Sequence, residues 1–164
     1  MSRIHVPIRL RWSDLDAYGH VNNAAMLTLL EESRISVFWG SGDLRVDGVN
    51  DADTPVADMG AASTITLVAR QEVEYLAPIP YLREPLDVEL WIGRLGGASL
   101  DVCYEVRSPL EGDASHGPQT VFAKASTTVV LVDTATGKPR RITDRERAAW
   151  GEYLEAPVAF TKRP

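Results

Sequence analysis

Cysteine is nearly missing from this 164-residue chain: Cys103 stands alone, so no intrachain disulfide can form and no cysteine-rich metal site exists. The residue is expected to be a small core side chain in a reducing compartment. Positive charge is also in deficit. Seventeen Lys and Arg stand against 23 Asp and Glu, a formal net charge of −6, which argues against nucleic acid as the main partner. A ligand with only a few phosphates needs no more than two or three placed basic side chains, and the balance leaves it open. No apolar run approaches the length of a membrane span, and Met1 to Pro7 lacks the apolar stretch of a signal peptide, so the expectation is a cytoplasmic protein with no membrane partner. The glycine-rich fingerprints of nucleoside-triphosphate and dinucleotide sites are missing. So is any Gly-x-Ser-x-Gly element around a serine, Ser99 in its glycine turn included. Histidine is limited to His5, His20 and His116, too few for an evident ligand set, and no metal is expected.

What is present suits one domain over residues 1–164, a length that supports one core but would leave two halves marginal. Residues 4–13 alternate Ile4, Val6, Ile8, Leu10 and Trp12 with polar positions, the period of a half-buried strand. Two aspartates, a glycine and two asparagines follow, and Asn22 or Asn23 can cap a helix over about 23–39. That helix is broken by few polar residues, which implies a partner sheet on several sides, and Gly40-Ser41-Gly42 is its stop signal. Residues 43–63 show weak periodicity and read as a connection with one short strand near Pro55-Val56-Ala57. Strands are expected at 64–76, ending before Pro78 and Pro80, at 86–95, through the Gly96-Gly97 hairpin into Leu100 to Val106, and at 119–132 after a polar loop at 108–118. Thr143-Asp144-Arg145-Glu146 is a capping box opening a short closing helix through Leu154. One strand, one apolar helix, a run of hairpin-linked strands and a closing helix predict an α+β fold, an antiparallel sheet with a helix on its concave face.

Chemistry concentrates at the strand-to-helix junction. A carboxylate beside the positive end of a helix is a candidate nucleophile or general base, because the same helix end offers N–H groups to a developing oxyanion. Asp14 and Asp16 both qualify, and alternation does not choose between them. Either can instead be solvated or can cap the turn through an Asx bond. His20 follows Gly19, whose backbone freedom can bring it close to a small ligand, although a loop histidine is as readily structural. Glu31 and Glu32 are acid/base candidates if desolvated, or partners of Arg34 or of a neighbouring subunit.

Asp14-Leu15-Asp16-Ala17-Tyr18-Gly19-His20-Val21-Asn22-Asn23, followed by Leu30-Glu31-Glu32-Ser33-Arg34, resembles the Asp-x-x-Gly-His-Val-Asn-Asn signature of the hotdog-fold acyl-CoA thioesterases, the 4-hydroxybenzoyl-CoA thioesterase-like group. Val73 to Ile79 and Arg94 to Ser99 are similar to that family's second strand and mid-sheet turn. The resemblance implies the hotdog fold, a sheet wrapped around a long helix, and hydrolysis of an acyl-CoA thioester to free acid and coenzyme A. It implies Asp16 as the catalytic carboxylate, acting as nucleophile or as base for water, the backbone N–H near Asn23 as the oxyanion donor, and His20 with Asn22 shaping the loop. It further implies a homodimer or homotetramer with the site at the subunit interface, and no cofactor beyond the coenzyme A of the substrate. Arg83, Arg94 and Lys124 are candidates for its phosphates. Met26 and Leu29 stand where close relatives often carry aromatic residues, and the 43–63 connection is either a lid or a lengthened loop. Two rival expectations share the fold: a hydratase or dehydratase acting on acyl thioesters, and a non-catalytic acyl-CoA binder. The acyl group, and whether its carrier is coenzyme A or acyl carrier protein, are left open by the sequence.

Overall fold

In the computed structural model the described residues are 3–38, 63–109 and 119–161. In chain order they form strand β1 (Ile4–Ile8), a single 3-10 turn (Trp12–Asp14), helix α1 (Asn23–Phe38), β2 (Thr64–Tyr75), β3 (Leu86–Leu95), β4 (Ser99–Arg107), β5 (Val121–Asp133) and helix α2 (Asp144–Gly151). The strands make one sheet in the order β1-β3-β4-β5-β2, and every pairing is antiparallel. This is the α+β arrangement expected, with α1 lying across the concave face. The expected connection over 43–63 apart from Ser63, the stop signal after α1 and most of the 108–118 loop, His116 included, lie outside the described residues.

Helix α1 buries Met26, Leu29, Leu30, Val37 and Phe38 against Val6, Ile8, Leu86, Val88, Leu90, Leu100, Val102 and Leu131 of the sheet. Each such side chain is worth roughly 1.5–3 kcal/mol when fully buried, so the junction ahead of α1 is anchored on both sides. Arg34 is also buried, and its Nη1 donates to the Tyr104 hydroxyl at 3.1 Å. The expected ion pair between the helix glutamates and Arg34 therefore does not form: Arg34 turns inward, while Glu32 lies 3.5 Å from Arg11 and Glu31 is exposed. At the far end, Trp150 of α2 closes the core edge-on against Phe38, and the Thr143/Glu146 capping box is formed.

Two expectations need correction. The first strand ends at Ile8 rather than 13, because its partner β3 begins at Leu86 and the residue before that is Pro85, which has no N–H to donate. The chain then turns instead of extending. The Asp14 carboxylate accepts the Arg11 N–H at 2.7 Å, and the Asp14 N–H donates to the Arg11 carbonyl at 3.0 Å. The alternation of β3 also suggests one solvated face, yet Asp87, Glu89 and Trp91 are as buried as their inward neighbours. Residues after α2 meet Trp91, while Glu89 is held by Arg3 and Arg107 and Asp87 by His5 and Gln119. The Trp91 Nε1–H donates to the Ala156 carbonyl at 2.9 Å, Glu155 N–H to the Ile92 carbonyl at 3.0 Å, Lys124 Nζ to the Ala159 carbonyl at 3.3 Å, and Thr161 N–H to Glu74 at 3.1 Å. The tail thus crosses the convex face from β3 to β2. Gly93 lies beneath it, where a Cβ would come within 2.6 Å of the Cys103 Sγ and 3.1 Å of the Pro157 Cα. Cys103 is buried as expected, and its burial pushes the thiol pKa up.

Candidate functional site

The loop ahead of α1 is held by its own backbone. Leu15 and Val21 form an isolated antiparallel bridge, and between them the Asp16 N–H donates to the His20 carbonyl at 2.8 Å and the Gly19 N–H to the Asp16 carbonyl at 3.1 Å. Gly19 has φ +77, with nothing near an added Cβ, so glycine is needed there for backbone conformation and not for space. Val21 N–H donates to the Ile79 carbonyl at 2.9 Å and Asn22 N–H to the Asp14 carbonyl at 2.7 Å, which ties the loop to both flanking segments.

This geometry separates the two aspartates. Asp14 is buried and spent on Arg11, through its backbone N–H and through an Nη2 contact at 3.0 Å. Asp16 is half-buried, and its Oδ1 accepts from Tyr18 N–H at 2.8 Å and His20 N–H at 3.2 Å. Its Oδ2 makes no hydrogen bond and no ion pair among the described residues. His20 joins Asp16 through its backbone alone, and its ring makes no hydrogen bond among the described residues.

Asn22 caps α1: its Oδ1 accepts the Ala24 N–H at 2.8 Å and its carbonyl the Met26 N–H at 3.0 Å. The N–H groups of Asn23 and Ala25 are the helix-end donors left over among the described residues. The Asn23 carbonyl accepts from the Tyr75 hydroxyl at 3.0 Å, which fastens this end of the helix to the end of β2. Beside it opens a cavity of about 330 Å³, lined by Val21 and Met26 on the helix side and by Tyr75, Leu76, Ile79 and Phe122 opposite. Met26 is therefore a wall of the cavity, whereas Leu29 is a core residue. Asp16 and His20 are brought together within the loop, and Asn23 follows the Asn22 whose N–H is held by the Asp14 carbonyl.

The three basic candidates fall in different places. Arg83 is exposed on the loop after Pro80, the residue whose backbone bridges to His20. Arg94 lies at the other end of β3, held by Asp101 at 2.7 Å, and Lys124 is engaged with the tail. Periodicity misses the ring partner of Trp12. It sets this residue in the core-facing series, but the side chain is 75% exposed and stacks on Tyr81, with ring centroids 4.7 Å apart and planes 13° from parallel. Among the described residues His5, Asp87 and Glu89 come within metal-binding distance of one another. Their atoms are already in use: Asp87 faces His5 Nδ1 at 3.0 Å, and Glu89 bridges Arg3 at 2.8 Å and Arg107 at 3.1 Å.

The thioesterase-like superfamily model matches residues 10–150, nearly all of the site and sheet and none of the tail beyond α2. The YsmA protein of Bacillus subtilis strain 168, itself uncharacterized, is 29% identical over 141 residues, covering 85% of this chain and 80% of its own. Among solved structures, a thioesterase from Thermus thermophilus complexed with coenzyme A and zinc is 27% identical, with a TM-score of 0.62 over 91% of this chain and 92% of that one. The PA2801 protein of Pseudomonas aeruginosa is 29% identical, with a TM-score of 0.63 over 90% and 95%. The chain belongs to the thioesterase-like superfamily. Its class is that of a thioesterase built on the hotdog fold.

Proposed function

We propose that the protein hydrolyses an acyl-CoA thioester, with Asp16 as the reacting carboxylate and the Asn23 N–H as the oxyanion donor. The observation that carries this reading is a carboxylate with one oxygen pinned and one without a partner among the described residues, on the loop that leads into a helix start whose Val21 and Met26 line a mostly apolar cavity. With Asp16 as base, its Oδ2 takes a proton from water, the hydroxide adds to the thioester carbon, and the oxyanion is met by the helix-end N–H. The C–S bond then breaks and the thiolate leaves with the proton returned by Asp16, giving one acid and one thiol per water consumed. With Asp16 as nucleophile, Oδ2 adds to the thioester carbon and the C–S bond breaks, so that coenzyme A leaves as thiolate and a mixed anhydride remains; water then cleaves the anhydride, giving the acid, restoring the Asp16 carboxylate and supplying the proton that the thiolate takes up. The cavity supports an apolar acyl group of modest size, and the coenzyme A held by the Thermus relative supports that carrier.

The hydratase alternative needs the carboxylate and an imidazole to share proton transfer, and here Asp16 meets His20 through the backbone rather than through the ring. Thiol release discriminates among the readings, because a hydratase and a binder both leave the thioester intact. Wild-type protein assayed against acyl-CoAs of increasing chain length, and against the same acyl groups on acyl carrier protein, is expected to liberate free thiol with an optimum set by the cavity. Tight acyl-CoA binding without thiol release would overturn the proposal.

We also infer a homo-oligomer built from a dimer. Strand β2 is a twelve-residue sheet edge exposing Ile65, Leu67 and Val68, the kind of edge that seeks a partner. A second copy laid antiparallel about Gln71 would set Arg70 of each chain against Glu72 of the other. Tyr75, at the end of the same strand, would bring that seam to the mouth of the cavity.

A further inference from the structure

The Trp12–Tyr81 stack stands next to the loop that carries Asp16, and none of the chemistry above uses it. Trp12 opens the 3-10 turn that ends in Asp14, and Tyr81 follows Pro80, the bridge partner of His20. One face of the indole lies on Tyr81. With three-quarters of the residue exposed, the other face is open to solvent. A large ring held in one orientation by a stacked partner, yet left uncovered, is a preformed platform for another flat ring. The two segments that carry the rings also carry Arg9 and Arg83. Both arginines are exposed, and neither makes an ion pair among the described residues. Arg11, between Arg9 and Trp12 in the chain, is already occupied by Asp14 and Glu32. In a chain of net charge −6, two exposed guanidinium groups with no ion pair among the described residues, three positions before one ring of an aromatic platform and two after the other, match a ligand that joins a flat heterocycle to phosphates.

Resting on the acyl-CoA reading, we propose that Trp12 and Tyr81 form the subsite for the adenine base of the carrier, with Arg9 and Arg83 receiving its phosphates. The nucleotide is thereby held against the outer side of the loop while the thioester enters at Asp16. This makes coenzyme A, rather than a protein-borne thioester, the favoured carrier, because acyl carrier protein presents no adenine to the platform.

The test compares two substrates with the same acyl group, its coenzyme A ester and its N-acetylcysteamine ester, which keeps the thioester and lacks the nucleotide. The readout is the ratio of kcat/KM on the first to kcat/KM on the second. Wild type is expected to favour the coenzyme A ester. Trp12→Ala should lower the ratio roughly 5- to 100-fold through KM, Trp12→Phe should restore most of it, and Arg83→Ala should lower it in a salt-dependent way. Coenzyme A should also quench tryptophan fluorescence in wild type more than in Trp12→Ala, the difference between the two reporting the Trp12 ring. A ratio of one in wild type, or a Trp12→Ala variant that loses both esters equally, would overturn the subsite. So would a change in oligomer size on removing the indole, which would assign the platform to a second copy of the chain. Wild type inactive on both esters would instead refute the thioesterase reading itself.

Discussion

The carboxylates of Asp14 and Asp16 stand two positions apart in the chain and in different surroundings. The 3-10 turn draws Asp14 inside to serve the Arg11 backbone, and the Asx-type bonds of Asp16 leave it at the surface of the loop with one oxygen unspent. Both aspartates thus cap turns, the structural role that residue type alone suggests, and the unspent oxygen is what sets Asp16 apart. Asp14→Asn keeps an acceptor for the Arg11 N–H but gives up a charge-assisted bond in a buried position. It is expected to cost about 1–3 kcal/mol in urea unfolding while turnover per folded molecule stays near wild type. A loss of turnover with unchanged stability would reverse the roles assigned to the pair. Cys103, the lone cysteine, is a packing residue under the tail.

Helix α1 owes its placement to Asn22, whose side chain and carbonyl take the Ala24 and Met26 N–H groups. Asn22→Ala should lower stability by about 0.5–2 kcal/mol, read from the same unfolding curves. Helix α1, β2, β3, β4 and β5 were legible to within a few residues, because hydrophobic period and Pro, Gly and Asn punctuation act locally. The end of β1 was not. Ile8, Leu10 and Trp12 keep the strand period, but a strand lasts only while a neighbour can pair with it, and Pro85 removes that neighbour. Trp12 is apolar for the sake of Tyr81, which lies far along the chain, a contact that no local period encodes. The convex face of β3 is similar: what meets Asp87, Glu89 and Trp91 comes from residues 3 and 5 and from residues 107, 119 and 156. In the site itself, local spacing led to two rival aspartates, and the family resemblance pointed to one. The unspent oxygen of Asp16 follows from how the loop folds back on itself, and the Asn23 tie to Tyr75 and the cavity join segments about fifty and more residues apart, which no local spacing encodes.

At the scale of the whole molecule, assembly and acid stability both follow from the sheet's periphery. If β2 is the seam between copies, Leu67→Lys should convert an oligomer into monomer by light scattering, and a wild type that is monomeric at assay concentration would contradict the seam. Ion-paired carboxylates set the acid limit, Glu155 beside Arg3 among them, and two show the balance of causes. Burial raises the Asp101 carboxyl, but hydrogen bonds from Arg94 and Thr128 outweigh it and hold its pKa below 3.8. Glu146 is likewise raised by burial and brought below 4.5 by Arg140 and Thr143. A carboxylate depressed in the folded state contributes stability above its unfolded pKa and loses it as pH falls through the folded one. Stability should therefore decline on acidification below about pH 4.5, and Asp101→Asn should make that decline shallower in urea titrations at successive pH values. The central claim, that Asp16 carries thioester hydrolysis, is tested most directly by the rate of free thiol release from an acyl-CoA by wild type and by Asp16→Asn. The amide keeps an oxygen to accept the Tyr18 and His20 N–H groups, so the loop keeps its shape and only the free carboxylate oxygen is lost. A fall in kcat on the order of 10²–10⁴ with an unchanged unfolding curve is the predicted result, and turnover equal to wild type would contradict the account.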